Sequence, residues 1–144
     1  MKRLKKNERG AALLEAAITI PIILLISVGI FEFGRAYQTW QVLTNAAREG
    51  ARLAVIQGTK DADIRARVNA YLKGGGLSSL QDTQILVSRS EPLTGTDTGS
   101  RIQINYPFSF IVLNPVVKLV SPGSTTGKNA ITMTSSAIMR NEWK

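Results

Sequence analysis

The chain has 144 residues, 44% of them hydrophobic, and its 18 Lys and Arg residues against 10 Asp and Glu residues give a net charge of +8. It contains no cysteine and no histidine, so it forms no disulfide bond and lacks the commonest zinc ligand and the usual general base. We therefore expect neither an enzyme nor a cofactor. Beyond the first ten residues the basic side chains are dispersed and not interleaved with aromatic residues, which argues against nucleic-acid binding.

The N-terminal segment joins a basic cluster to a long apolar run. Residues 1–10 contain five basic residues and one acidic residue, and Glu15 is the only ionisable side chain between Ala11 and Phe31. As a helix this run would be about 31 Å long, close to the hydrocarbon thickness of a bilayer. It is longer than the apolar region of a secretory signal and lacks a small-residue cleavage site. We therefore predict a cytoplasmic leader over 1–10 and a retained transmembrane helix over 11–33, because basic residues hold an N-terminus in the cytoplasm.

Two residues of the apolar run are unusual for a membrane helix. Pro21 removes a backbone hydrogen bond, so we predict a kink or a loosened turn at this position; an ordinary kinked span, which membrane helices tolerate, is the alternative to a functional kink. A charged Glu15 would cost on the order of 2.5–3.5 kcal/mol at the helix centre and less near an end. We therefore expect this carboxylate to have a partner or a function.

The helical pattern continues beyond the apolar run. No proline occurs between Phe31 and Ile56, and apolar residues recur at intervals of three and four. This stripe consists of Ala36, Trp40, Leu43, Ala47, Ala51 and Ala54. The two segments predict one helix of about 45 residues that ends near Gly58.

Four small residues on this second segment would allow another backbone to approach closely. They are Ala46, Ala47, Gly50 and Ala51. Their partner is either the chain's own sheet or a neighbouring subunit, and packing within the chain is the commoner case.

A second helix and three strands are predicted in the remaining sequence. Residues 61–72 have the helical period, and the glycines at 74–76 end that helix. Alternating or β-branched residues predict strands over 84–88, 101–106 and 130–139. The fold class is therefore α+β: a long N-terminal helix that extends outside the membrane, a short second helix and a small antiparallel sheet of about three strands.

The segment after the second strand is less regular. Pro107 is expected to end that strand. Residues 108–120 are mostly apolar, and their pattern fits an edge strand, a packed loop or a turn of helix. All of this belongs to an extracytoplasmic domain predicted over 34–144.

Three sequence blocks occur in order in the N-terminal third of the chain. They are RGAALLEAA at 9–17, GIFEFGR at 29–35 and NAAREGAR at 45–52, with Pro21 between the first two. Together they resemble the TadE-like family, which comprises minor pilins or pseudopilins of the Tad (Flp, type IVb) pilus apparatus. The resemblance covers about a third of the chain.

The resemblance implies specific roles for residues near the N-terminus. Proteins of the type IV pilin class are cut on the cytoplasmic side by a prepilin peptidase, after a glycine that follows basic residues, and carry a glutamate at the fifth position after the cut. The matching positions are Gly10 and Ala11 for the cleavage and Glu15 for the glutamate. Its carboxylate would pair with the new amine of Ala11 in its own or a neighbouring subunit. One departure is Ala16, since Tad pilins commonly have an aromatic residue there.

The resemblance also implies a location and partners. We expect a single-pass protein of the bacterial inner membrane, with its N-terminus in the cytoplasm and its C-terminal domain in the periplasm or outside the cell, that assembles through its N-terminal helix and enters a pilus. Expected partners are other pilins or pseudopilins of the Tad system, the prepilin peptidase, the inner-membrane assembly platform and membrane lipid. Adhesion and secretion are the processes that such an apparatus serves. The alternative is an uncleaved single-pass protein whose extracytoplasmic domain binds a ligand or scaffolds a secretion complex.

Overall fold

The computed structural model describes residues 8–93, 97–112 and 130–141. Within them the elements are helix α1 (Glu8–Ala54), helix α2 (Asp61–Gly74), a 3-10 turn (Asp82–Gln84) and strands β1 (Ile85–Pro92), β2 (Thr98–Phe108) and β3 (Ile131–Arg140). The strands form one antiparallel sheet in the order β1-β2-β3. The predicted α+β class, with a long helix, a short helix and a three-stranded antiparallel sheet, is confirmed.

Helix α1 has 47 residues, which corresponds to about 70 Å. It ends at Ala54, four residues before the predicted stop at Gly58. The backbone turns between these two positions, and Gly58 has a φ of 84°, a left-handed conformation that suits glycine. The guanidinium of Arg89 donates to the last helical carbonyl, that of Ala54, at 3.4 Å. A contact from a distant strand therefore helps to end the helix.

The two halves of α1 have different surroundings. In the first half, the large apolar side chains between Leu13 and Phe33 are 53–72% exposed. The helix is long and apolar enough to cross a membrane, and none of the residues in its most hydropathic 18-residue window is buried. Apolar side chains are stable when they are removed from water, so this half requires lipid or other helices around it.

The second half of α1 packs on α2 and on the sheet. The buried apolar residues of this core are Leu43, Ala46, Ala47, Ala51 and Ala54 of α1, Ile64, Val68 and Leu72 of α2, Leu80, and Ile85, Ile102 and Ile104 of the sheet. The predicted stripe is not buried over its whole length: Trp40 is 47% exposed and Ala36 is only partly buried, whereas Thr39, outside the stripe, is 4% exposed. The Thr39 hydroxyl donates to the carbonyl of Arg35 at 3.0 Å, so a polar side chain is satisfied at this buried position.

Strand β2 continues through the proline that was expected to end it. Pro107 pairs with Thr132, and Phe108 pairs with Ile131. Strand β1 begins opposite Ile104, so within the described parts of the chain β2 has only β3 as a neighbour at Pro107. A proline is tolerated where a strand has a free side, because no second ladder needs its missing N–H.

The other strands are close to their predicted positions. Strand β1 extends to Pro92 because a bulge between Ser88 and Glu91 lets pairing with β2 resume after an irregular step. Strand β3 runs over Ile131–Arg140, one residue beyond the predicted 130–139 at its C-terminal end. Of the segment predicted over 108–120, residues 109–112 are irregular, and 113–120 lie outside the described residues.

Candidate assembly and processing site

All the residues to which the sequence assigns a role lie on α1. Gly10, Ala11 and Glu15 are near its N-terminal end, Pro21 lies in the apolar half, and the small residues 46–51 belong to the packed half. One continuous helix therefore carries both the exposed and the packed sites.

The bond between Gly10 and Ala11 lies within α1, two residues after the first described residue, Glu8, and both of its residues are exposed. A glycine in a helix lowers the cost of opening by about 1 kcal/mol relative to alanine. Gly10 therefore makes the helix easier to unwind at this bond.

Glu15 occupies an accessible face of α1. The residues around it are small or lie one turn away: Ala12, Ala16, Thr19 and Ile20 line a shallow groove with it. Ala11 precedes Glu15 by four residues, so the two lie on the same face about one turn apart. Because Ala12 and Ala16 have short side chains, another helix can approach the carboxylate closely on their side of α1.

Helix α1 continues through Pro21. The kink expected there stays a prediction. In the same half, the Ser27 hydroxyl donates to the carbonyl of Ile23 at 2.9 Å, so this polar group is satisfied within the helix, as a membrane environment requires.

The four small residues are buried inside the chain itself. Ala46, Ala47 and Ala51 have no exposed surface. A Cβ placed on Gly50 would come within 2.7 Å of Val68 Cγ2 in α2. Of the two partners that the sequence left open, the structure favours the chain's own α2 and sheet, so this stripe is not available to a neighbouring subunit.

A buried ion pair lies where α1 leaves its apolar half. Glu32 is 1% exposed, its carboxylate lies 3.1 Å from Arg35 Nη2, and it accepts a hydrogen bond from the N–H of Val112. Arg35 also donates to the carbonyl of Ser109, and its guanidinium lies 4.3 Å from the centre of the Phe108 ring. We call Glu32, Arg35 and residues 108–112 the exit clamp.

Sequence reasoning missed the exit clamp. The block at 29–35 shows opposite charges three residues apart directly after the apolar run, which is the only local signal. Such pairs are common on exposed helix surfaces. The partner segment lies about 75 residues further along the chain, and no local pattern connects the two.

A second ionic cluster joins the two helices. Glu49 accepts hydrogen bonds from Arg52 on α1 at 3.0 and 3.1 Å and from Arg67 on α2 at 2.9 and 3.0 Å. These bonds, first that of Arg52 and then that of Arg67, lower the pKa of Glu49 from 4.5 to about 2. The cluster therefore keeps a negative charge on α1 at all but strongly acidic pH.

An unburied apolar helix that continues into a packed α+β domain is consistent with a protein that this helix anchors in a membrane. The model of the family described as TadE-like protein matches residues 10–52. The match begins at Gly10 and ends two residues before the end of α1. The resemblance seen in the three sequence blocks is confirmed over this segment.

The other comparisons add no relative. Neither the curated proteins nor the solved structures contain a match. The apolar helix and the TadE-like segment are together consistent with a membrane-anchored protein related to Tad pili.

Proposed function

We propose that this chain is a minor pilin or pseudopilin of a Tad (Flp, type IVb) pilus or a related secretion apparatus. In this proposal a prepilin peptidase removes residues 1–10, and the protein assembles with other pilins through α1. The proposal rests mainly on one observation: the TadE-like match, 10–52, falls on a helix whose apolar half has no partner within the described chain.

The exposed half of α1 can be covered both before and after assembly into a pilus. In the membrane, lipid covers its apolar side chains; in an assembly, the helices of neighbouring subunits replace the lipid. The packed half already uses its small residues within the chain. Assembly contacts are therefore assigned to the segment between Ala11 and Phe31.

Glu15 gives this contact a defined register. After cleavage the amine of Ala11 is cationic, and a carboxylate one turn away, or on a neighbouring helix, neutralises it. In a medium of low dielectric constant a charge without a partner is strongly unfavourable. Neighbouring subunits would thus be held at the axial position where amine and carboxylate meet.

The basic leader places the N-terminus in the cytoplasm and the α+β domain in the periplasm or outside the cell. The role we assign to that domain is structural, without catalysis. The assembly platform of the inner membrane and other pilins of the system are its proposed partners.

Three variants test the proposal in cells that carry the pilus apparatus. Gly10→Val should block the cut, so that the full-length mass persists in the membrane. Glu15→Gln keeps the size of the side chain but removes its charge; it should be cut normally and be cross-linked less to other pilins. Glu91→Gln, a charge deletion in the sheet, is the matched control and should behave as the parent in both measurements. Intact mass reports cleavage, and cross-linking reports assembly.

Each result separates the alternatives. A parent protein that keeps residues 1–10 contradicts processing and favours the uncleaved anchored protein. Normal cleavage with undiminished cross-linking of Glu15→Gln would show that the charge pair is wrong, while processing by the peptidase stands.

A further inference from the structure

Residues 109–112 contact α1 directly after its apolar run. The carbonyl of Ser109 accepts a hydrogen bond from Arg35, whereas the N–H of Val112 donates to Glu32. Glu32 precedes Arg35 on α1 and is therefore closer to the apolar run. Because the Arg35 Nη2 that binds Ser109 also lies 3.1 Å from Glu32 Oε2, both contacts meet at Glu32, the first charged residue after the apolar run.

An exposed apolar side chain lies beside this contact. Ile111 is 59% exposed, and its neighbour Val112 is held at the level of Glu32. At the same level α1 exposes Phe31, Phe33 and, one turn further, Tyr37. Aromatic side chains of this kind are enriched where a membrane helix leaves the lipid.

We propose that residues 109–112 are a second membrane contact of this protein, in which Ile111 enters the lipid interface beside the exit point of α1. The proposal rests on the membrane insertion of α1 stated under the proposed function. With the apolar run in the hydrocarbon layer, Glu32 lies at its outer boundary. The N–H of Val112 donates to Glu32, so Ile111, the residue before Val112, lies at the same depth.

Two polar backbone groups of residues 109–112 have protein partners, as a position near lipid requires. Irregular backbone is tolerated at membrane depth only where its polar groups have protein partners. Arg35 satisfies the carbonyl of Ser109, and Glu32 satisfies the N–H of Val112. The exit clamp thus supplies partners for two backbone groups of this segment. Ile111 is exposed at the level of Glu32, where Phe31 and Phe33 of α1 are also exposed, and this position at the end of the apolar run favours lipid as the occupant.

Site-directed spin labelling tests the contact on the full chain. Because the sequence contains no cysteine, each single-cysteine variant carries one label. Ile111→Cys is compared with Leu86→Cys, an apolar position of β1 that is 46% exposed, and with Ile23→Cys in the middle of the apolar run. The protein is reconstituted in vesicles of phosphatidylcholine and phosphatidylglycerol. Collision rates are measured with oxygen, which concentrates in lipid, and with a water-soluble nickel complex.

The expected ratio of oxygen to nickel collisions is severalfold higher at position 111 than at position 86, and highest at position 23. If position 23 is in lipid while position 111 matches position 86, the second contact is wrong and the membrane span stands. Protection of position 111 from both reagents would mean that protein covers it, which also overturns the proposal. A nickel-accessible position 23 would overturn the span and the contact together, whereas processing is judged separately by intact mass. Circular dichroism of each labelled variant verifies that it has kept its fold.

Discussion

Glu49 shows how one side chain joins two helices. It lies near the end of α1 and receives hydrogen bonds from arginines of both α1 and α2. Both arginine side chains are more than half exposed, whereas that of Glu49 is mostly shielded. Solvent screens the charges of the two arginines, so we expect the whole cluster to contribute about 1 kcal/mol to the free energy of unfolding.

This cluster predicts a dependence of stability on pH. The folded protein holds the pKa of Glu49 at about 2, whereas the ordinary value is 4.5. Between these values the unfolded state binds more protons, so the contribution is complete above about pH 4.5 and is lost as the pH falls toward 2. Glu49→Gln should therefore lower the free energy of unfolding by about 1 kcal/mol at pH 7 and by much less at pH 2. Urea unfolding of the detergent-solubilised protein at both pH values measures this; an equal difference at the two values would contradict the assignment.

Gly50 is a position where the absence of a side chain is required. An alanine Cβ there would lie 2.7 Å from Val68 Cγ2 and 3.3 Å from Ile102 Cγ2. Overpacking of this kind costs about 1–3 kcal/mol, which exceeds the gain of about 1 kcal/mol in helix propensity. Gly50→Ala should therefore lower the free energy of unfolding.

The matched control is Gly74→Ala at the end of α2, where nothing lies within 4 Å of the added Cβ. Without a clash, only the conformational effect remains, and it should raise stability by about 0.5 kcal/mol. Opposite signs for the two variants in urea unfolding are expected. Equal effects would mean that Val68 moves aside freely and that the close approach of the helices is not tightly constrained.

At the scale of elements, Arg89 holds the corner where both helices meet the sheet. It lies at the bulge of β1 and donates to Asp61 Oδ1 at 2.7 and 2.9 Å, at the start of α2. It also donates to the carbonyls of Ala54 and Thr59. Asn141, directly after β3, donates to the carbonyl of Arg89 at 3.0 Å. The bulge therefore directs the Arg89 guanidinium toward three places: the end of α1, the segment 55–60 that joins the helices, and the start of α2.

Removal of this guanidinium should loosen the corner. Arg89→Ala removes one donor from a carboxylate and from two carbonyls, and we expect a loss of roughly 1.5–3 kcal/mol in the free energy of unfolding. Arg89→Lys should restore little of it, because one ammonium group cannot replace a planar fork with several donors. Arg140→Ala removes an exposed ion pair with Asp97 and should cost less than about 1 kcal/mol. Thermal unfolding ranks the three variants; a loss for Arg89→Ala no larger than that for Arg140→Ala would refute the role.

At the scale of the whole molecule, the chain separates into an unburied apolar helix and a packed domain. Among the described residues, every buried one except Glu32 lies after Arg35. The core thus needs the second half of α1 but not the first. The exit clamp is the exception, because it joins residues on both sides of this division.

A fragment of residues 35–144 should therefore fold as a soluble monomer with a mixed α/β circular dichroism spectrum. A fragment of residues 32–144 should be more stable by about 1–2 kcal/mol, because it retains the carboxylate that accepts hydrogen bonds from Arg35 and Val112. Glu32→Ala in the longer fragment should remove that difference. Sedimentation and urea unfolding are the measurements. An aggregated or molten shorter fragment would mean that the domain depends on the apolar half of α1.

The sequence by itself determined the elements of this protein. The apolar run, the helical period up to Ala54 and the alternation in β2 are local patterns, and they predicted one long helix, a short helix and three strands. They succeeded because helix and strand periods are set by the backbone and are visible in neighbouring residues. The TadE-like segment is also local, since it lies within a single helix.

Only the tertiary structure decided which surfaces meet. The sequence left the partner of the small residues open, placed Trp40 in the apolar helical stripe and ended β2 at Pro107. The packing instead buries Thr39, lets Pro107 pair on the one side where a strand is present, and places Gly50 against α2. It also joins Glu32 to Val112 across 80 positions of the chain. These outcomes depend on which elements become neighbours in space. The whole fold decides that, and the spacing of residues within one helix or strand does not show it.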